Sequence, residues 1–262
     1  MRFEAELSRP LFHNSKVWMI LFILFLLSRG GQGATWSVGS GGDFGSLSAA
    51  LASPSVAEGD VLELLAGAHA CGALTWTKRV SIMGAEGVRP ALLLPGTLEA
   101  AFDGAGSITG VDLLASGAVS GALVRVSASE SALTLSSVDI GTTGTGSADV
   151  GLAADAGALS LEDVAVAGDF DLGLRAGTSS SAAGSVEGSQ VDVAVAGEAL
   201  EVWGALALAD SSVTIAAGES LGGAVNAGGA LQLERCEVLG ESLASGGILF
   251  ELEARGTTVT LV

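Results

Sequence analysis

Leu133-Thr134-Leu135-Ser136-Ser137-Val138-Asp139-Ile140 is followed, 26 positions on, by Leu159-Ser160-Leu161-Glu162-Asp163-Val164-Ala165-Val166. Each stretch holds two short alternating elements, and strict alternation of apolar and polar residues describes a strand with one face buried and one in water. The second element recurs along most of the chain. Its inner pairs are Val80 and Ile82, Val111 and Leu113, Val138 and Ile140, Val164 and Val166, Val191 and Val193, Val213 and Ile215, Cys236 and Val238, and Val259 and Leu261. First members are 31, 27, 26, 27, 22, 23 and 23 residues apart. Glycine clusters such as Gly141 to Gly146, Gly173 to Gly177, Gly184 to Gly188 and Gly222-Gly223 divide the units. A unit this short has no room for a βαβ crossover, which needs roughly 30 residues. Strands that return to one face every twenty-odd residues stack in parallel and enclose a column of aliphatic side chains, so the spacing predicts an all-β, single-stranded parallel β-helix, a solenoid.

Composition agrees with that reading. Of 262 residues 49% are hydrophobic and 15% charged, which excludes a disordered chain, and the 39 glycines follow no collagen period. Aromatic residues are only 5%, so the interior is built from Val, Leu, Ile and Ala.

Residues 1–34 read as a signal peptide. Arg2, Arg9 and Lys16 precede the apolar run Val17 to Leu27, and the small residues Gly30, Gly31, Gly33 and Ala34 follow, so cleavage is expected after Gly33 or Ala34. The run is shorter than the roughly 20 residues of a bilayer span, which makes a retained signal anchor the alternative. Membrane contact is expected only in that case. Residues 35–262 then form the β-helix domain. A secreted or cell-surface location follows.

Without the leader the chain keeps 7 of its 11 basic and 27 of its 29 acidic residues, a balance of −20. Such a surface repels nucleic acid, and the one adjacent basic pair is Lys78-Arg79. Cys71 and Cys236 lie 165 positions apart and are expected as two free thiols, with Cys236 filling a core position taken by Val in other units. Asn226 is followed by Ala227-Gly228 and offers no N-glycosylation acceptor. Phe44, Leu47, Ala50 and Leu51 follow a helical spacing after Asp43, a candidate N-cap, predicting a short helix over 43–52 that closes the open end of the coil. Val61 to Leu65 is then the first strand. At the other end the chain stops inside a core pair, at Thr260-Leu261-Val262, with no equivalent lid.

The order Phe44-Gly45-Ser46-Leu47, Gly59-Asp60-Val61-Leu62-Glu63-Leu64, Gly67-Ala68-His69 and Leu74-Thr75-Trp76-Thr77-Lys78-Arg79-Val80-Ser81-Ile82-Met83-Gly84 resembles the opening turns of pectin-lyase-like right-handed β-helix proteins. Gly222-Gly223-Ala224-Val225 and Gly246-Gly247-Ile248 are similar to the repeats of polymorphic outer-membrane-type proteins. These resemblances imply right-handed winding, an extracellular setting, and an adhesive, structural or carbohydrate-binding role. Partners would be extracellular carbohydrate or a cell-surface protein.

Catalytic chemistry is the alternative. Gly168-Asp169-Phe170-Asp171-Leu172-Gly173 is similar to the D-F-x-x-G signature of pectin methylesterases, which would make Asp169 a nucleophile, but the companion Q-D-T-L and L-G-R-P-W segments are absent. Polysaccharide lyases of this fold use an Arg or Lys beside carboxylates. Arg125, Arg175, Arg235 and Arg255 stand isolated in sequence. His69, alone after the leader, is expected to be a satisfied turn residue, and one His with two distant Cys assembles no zinc site. No catalytic residue is assigned, and a degenerate fragment of an enzyme is a further alternative.

The residues between the paired core positions are Ser81, Asp112, Asp139, Ala165, Asp192, Thr214, Glu237 and Thr260, expected as one outward column. Asp112 and Asp139 would then be neighbours ~4.8 Å apart. Two carboxylates that close repel, and a bound calcium ion would offset the cost, which makes them its candidate ligands; no other cofactor is expected.

Overall fold

The computed structural model describes residues 33–195, 197–215, 225–227, 230–240, 252–254 and 259–261. Residues 1–32, where a signal peptide is expected, lie outside these residues, as do Arg255, Gly222-Gly223, Gly246-Gly247 and Val262. The described chain is a right-handed parallel β-solenoid of about seven turns. From Val61 onward the chain visits three ladders in the same order, and every pairing between these strands is parallel.

Ladder 1 stacks Thr35–Val38, Val61–Leu64, Ser81–Gly84 and Gly104–Thr109. It continues through the leading halves of Ser131–Thr142, Ala158–Gly168 and Ser185–Val195 to Ala205–Ala209, Ala230–Glu234 and Val259–Leu261. Ladder 2 stacks Ala68–Ala70, Ala91–Leu94, Asp112–Ala115, the trailing halves of the same long strands, then Ser212–Ile215 and Glu237–Gly240. Ladder 3 stacks Leu74–Trp76, Leu98–Ala100, Ala118–Val126, Ser147–Ala154, Phe170–Ala176, Glu198–Val202, Val225–Ala227 and Leu252–Ala254.

Alternation points one side of each ladder inward, where stacking completes the burial that no single turn achieves alone. In ladder 1 the inner column reads Leu62, Ile82, Ile108, Leu135, Leu161, Gly188, Leu208 and Leu233. In ladder 2 Leu113, Ile140, Val166, Val193 and Val213 stack, each at most 1% exposed. Burial of each such side chain contributes about 1.5–3 kcal/mol. Aromatic residues enter from ladder 3, where the rings of Trp76 and Phe102 meet 4.8 Å apart between centroids. They fill the space left by Gly106, which stands where the next turn has Leu133: a Cβ there would lie 2.7 Å from Phe102 Cζ.

The inner pairs therefore divide between two ladders, contrary to the single column expected. Ile82 belongs to ladder 1 and Leu113 to ladder 2. Val259 and Leu261 pair with Leu231 and Leu233, again in ladder 1. The two ladders carry the same alternation, and a turn takes from 20 residues (Leu62 to Ile82) to 28 (Leu233 to Leu261), so spacing alone does not separate them.

The corner between ladders 1 and 2 has a shared backbone device. Ser137, Asp163, Gln190, Asp210 and Arg235 all adopt φ between 49° and 55°, the left-handed region, following Gly110 at the same corner. One such residue turns the chain without breaking either ladder, which is why the long strands run across both.

The N-terminal turn differs from the expectation in two ways. The first strand is Thr35–Val38, which pairs with Val61–Leu64 from Thr35 opposite Val61 to Val38 opposite Leu64. The helix is Leu47–Ala52, and its N-cap is Ser46, whose hydroxyl accepts from Ala49 N. Asp43 instead accepts from the Ser37 amide at 2.9 Å and the Ser37 hydroxyl at 2.7 Å, closing the loop before the helix. The helix buries Leu47, Ala50 and Leu51 against the first two strands of ladder 1.

Candidate functional site

Outward residues of ladder 2 carry the acidic column. Asp112 faces Asp139, Asp139 faces Ala165, Ala165 faces Asp192, Asp192 faces Ser212 and Ser212 faces Glu237. The expected neighbours Asp112 and Asp139 are thus brought together. Arg89, from the turn before Ala91–Leu94, binds both. Its Nε donates to Asp112 Oδ1 and its Nη2 lies 2.8 Å from Asp139 Oδ1. These carboxylates, Asp112 first, hold the guanidinium firmly in its charged form. The positive charge a cation would supply is here supplied by the chain. Among the described residues no group of three or more His, Cys, Asp or Glu is placed to hold a metal ion.

Three members of the expected column stand elsewhere. Ser81 lies in ladder 1, where its hydroxyl accepts from Ser107 Oγ at 3.0 Å, and Thr260 faces Gln232 in the same ladder. Thr214 is displaced because the 20-residue turn from Gly188 to Leu208 sets Val213 opposite Val193. Ser212 takes the outward place and donates to Asp192 Oδ1 at 2.5 Å. Ser211 takes the inward place, where its hydroxyl accepts from Val191 N and donates to the Ala209 carbonyl, so its burial leaves no polar group unpaired.

Ladder 3 carries a second, more varied face. Leu123 and Val124, and Ala199 and Leu200, are successive residues that both enter the core. Gly151 and Gly173 occupy the first of these two positions in the turns between; a Cβ on them would lie 2.8 Å from Val166 Cγ1 and 2.6 Å from Val193 Cγ1. Two inward residues in succession break the alternation and bend the strands. The bend sets Ala122, Val150 and Leu172 apart from the main core, in a separate apolar cluster with Ala153. Glu198 continues this strip beyond Leu172. Beside it runs the outward column Glu99, Arg125, Ala153, Arg175 and Glu201.

Asp155, buried at the end of Ser147–Ala154, ties two turns of that column together. Arg125 Nε donates to its Oδ2 at 2.7 Å, and Arg175 Nη2 and Nε donate to its Oδ1 at 2.7 and 3.0 Å. Two guanidinium groups share this carboxylate, and Glu99 and Glu201 stand opposite Arg125 and Arg175 at the two ends of the row. On the far side Glu201 accepts from Trp203 Nε1 at 2.8 Å. Burial, and then the charge of Glu201, push the Glu198 carboxyl up to about 7.

Arg125 and Arg175, isolated in sequence, are therefore joined in space, and Arg235 is bound by Asp210 and Glu234. The signal in the sequence is the third alternating element of each turn, Val124-Arg125-Val126, Leu152-Ala153-Ala154, Leu174-Arg175-Ala176 and Leu200-Glu201-Val202, which lies outside the two-element units. Asp169 is an exposed corner residue ahead of the buried Phe170. His69 lies in a strand of ladder 2 rather than a turn, buried, with Nε2 2.7 Å from the Leu65 carbonyl, which it satisfies as a donor. Both cysteines are free. Burial raises the Cys71 thiol to about 11, leaving it a packing group, and half-buried Cys236 packs on the core with Sγ 3.3 Å from the Leu208 carbonyl.

No family model matches this chain, and no curated protein or solved structure matches it.

Proposed function

We propose that this chain is a non-catalytic solenoid of pectin-lyase-like type that acts outside the cell as an adhesive or carbohydrate-binding module, with ladder 3 as its contact face. The observation that carries this reading is the juxtaposition on that face of the half-exposed Trp203 indole with the polar row Arg125, Arg175 and Glu201, held over the buried cluster of Ala122, Val150 and Leu172. A sugar ring has an apolar face and a rim of hydroxyls, and rigid parallel strands hold both kinds of partner at fixed repeat. Calcium at Asp112 and Asp139 would have to displace Arg89, so ladder 2 is the weaker place for ligand chemistry. The test is a glycan array probed with the full chain produced in a secretory host. Binding that falls at least about tenfold in Arg175→Ala, with Arg89→Ala unaffected, supports the reading; equal loss in both variants, or no binding to any glycan, overturns it.

A second reading has one observation in its favour. Glu198 is a half-buried carboxyl that holds its proton up to about 7, beside Glu201, and such a group suits general acid catalysis on a glycoside. Turnover of pectin, alginate or related polysaccharides that Glu198→Gln abolishes would establish the enzyme reading. Absence of turnover removes it.

A further inference from the structure

Asp60 is 4% exposed, and its carboxylate accepts three hydrogen bonds: from Ala34 N at 2.8 Å, Trp36 Nε1 at 2.8 Å and Ala57 N at 2.9 Å. These donors, Ala57 first, keep it ionised well below the usual carboxylate range. Its surroundings lack a direct counter-charge. Lys78 is the nearest source, but its Nζ donates to the carbonyls of Ser53 and Val56, and among the described residues no Lys or Arg forms an ion pair with Asp60. A buried carboxylate held only by neutral donors is costly, and an ionised donor would strengthen the site.

One of those donors lies at the foreseen processing point. Cleavage after Gly33 turns the Ala34 amide nitrogen into an α-ammonium already 2.8 Å from Asp60 Oδ1. Cleavage after Ala34 would remove that donor, and with it the Ala34 carbonyl, which accepts from Val61 N at 2.9 Å. The small residues Gly31 and Gly33 stand at the −3 and −1 positions that a signal peptidase requires for the first of these cuts. Gly33 itself is packed so closely that a Cβ on it would lie 1.9 Å from the Gly59 carbonyl oxygen, so the position takes no larger residue without a shift of the backbone.

We propose that the mature protein begins at Ala34 and that its new α-ammonium forms a partly buried ion pair with Asp60. Hydrolysis of the Gly33–Ala34 peptide bond consumes one water and yields the Gly33 carboxylate on the leader and the Ala34 ammonium on the domain. The inference rests on residues 1–33 being a cleaved leader. It adds which bond is cut and what the freed terminus does: the ion pair fastens the first strand of ladder 1 to the turn before the second.

The experiment expresses the full chain in a secretory host, measures the N-terminal residue of the exported protein by mass spectrometry, and follows acylation of its α-amino group at pH 7. The expected result is a start at Ala34 and labelling about tenfold slower than for a free terminal amine, whose pKa is about 7.7–8.0. Asp60→Asn should restore fast labelling. Asp60→Glu, which keeps the charge, serves as the second variant if Asp60→Asn does not fold, and should label at an intermediate rate. Export with a start at Thr35 or elsewhere overturns the cleavage site while leaving secretion standing. A start at Ala34 with unhindered labelling overturns the ion pair. A chain that keeps its leader overturns both the site and the secretory reading on which it rests.

Discussion

Asp112 and Asp139 stand directly opposite one another on adjacent parallel strands, and one side chain, Arg89, holds both. Arg89 lies on the turn before the strand that pairs with Asp112, so three successive turns contribute one group each to the cluster.

Replacement of Arg89 by Met should release the repulsion it offsets. The groups are between 28% and 57% exposed, so the loss is small, about 1 kcal/mol or less. The bared carboxylates should then gain from a divalent cation. Thermal melts of Arg89→Met are expected to shift upward with millimolar calcium while the parent chain shows a smaller shift. Equal calcium responses would show that Arg89 does not occupy the cation's place.

Val164 and Ala165 are adjacent but face opposite ways. Val164→Asp buries an unpaired charge in a central turn and should cost several kcal/mol, about 3 or more, or prevent folding. Ala165→Asp falls between Asp139 and Asp192 in the outward column, so it should cost about 0.2–1 kcal/mol through like-charge contact. Ala165→Asn removes that charge and should be neutral. Chemical denaturation of the three variants checks the order.

Glu198 gives stability a pH dependence. Its folded pKa, about 7, lies above the ordinary 4.5, so the charged form is disfavoured in the folded state. Its contribution is fully favourable below about pH 4.5 and is lost as the pH rises through 7. Glu198→Gln should therefore match the parent near pH 4.5 and exceed it at pH 8 by about 1 kcal/mol, a figure reduced for the group's contact with water. Melting temperatures at the two pH values test this, and a difference that does not change with pH refutes it.

Gln190 is exposed and sits at the left-handed corner with φ of 55°. Gln190→Gly should raise stability by about 0.5–1 kcal/mol because glycine adopts that conformation without strain. Gln190→Val should lower it by about 1–2 kcal/mol. If both changes are neutral, the corner is not strained.

Asp155 joins Arg125 and Arg175 from the turns on either side of its own. Asp155→Ala leaves two guanidinium groups facing one another and should cost about 2–3 kcal/mol, less than a fully buried pair because both arginines reach water. Adding Arg125→Ala should restore part of the loss. A double-mutant cycle measures that recovery.

Much of the architecture was legible in the chain itself. The Val-x-Val pairs, the glycine-rich corners and the spacing in the twenties point to stacked parallel turns because inward and outward residues alternate with a period set by the backbone of each strand. What the spacing did not separate was ladder 1 from ladder 2, since both are written in the same alternation. The third element was harder to see. Its short runs, such as Leu174-Arg175-Ala176, carry only two inward residues and are interrupted by the bend at Gly173.

The candidate sites divide along the same line. Asp112 and Asp139 could be placed together from their 27-residue separation, but Arg89 could not be added, because it comes from a turn and follows no repeat. The clamp of Arg125, Asp155 and Arg175 likewise depends on register between turns of unequal length. Sequence by itself determined which side of each strand is apolar and that the strands must stack, for these are local properties of alternation. Only the tertiary structure decided which charges meet, because register accumulates every loop insertion along the way, and one residue more or less exchanges the partners of a whole turn.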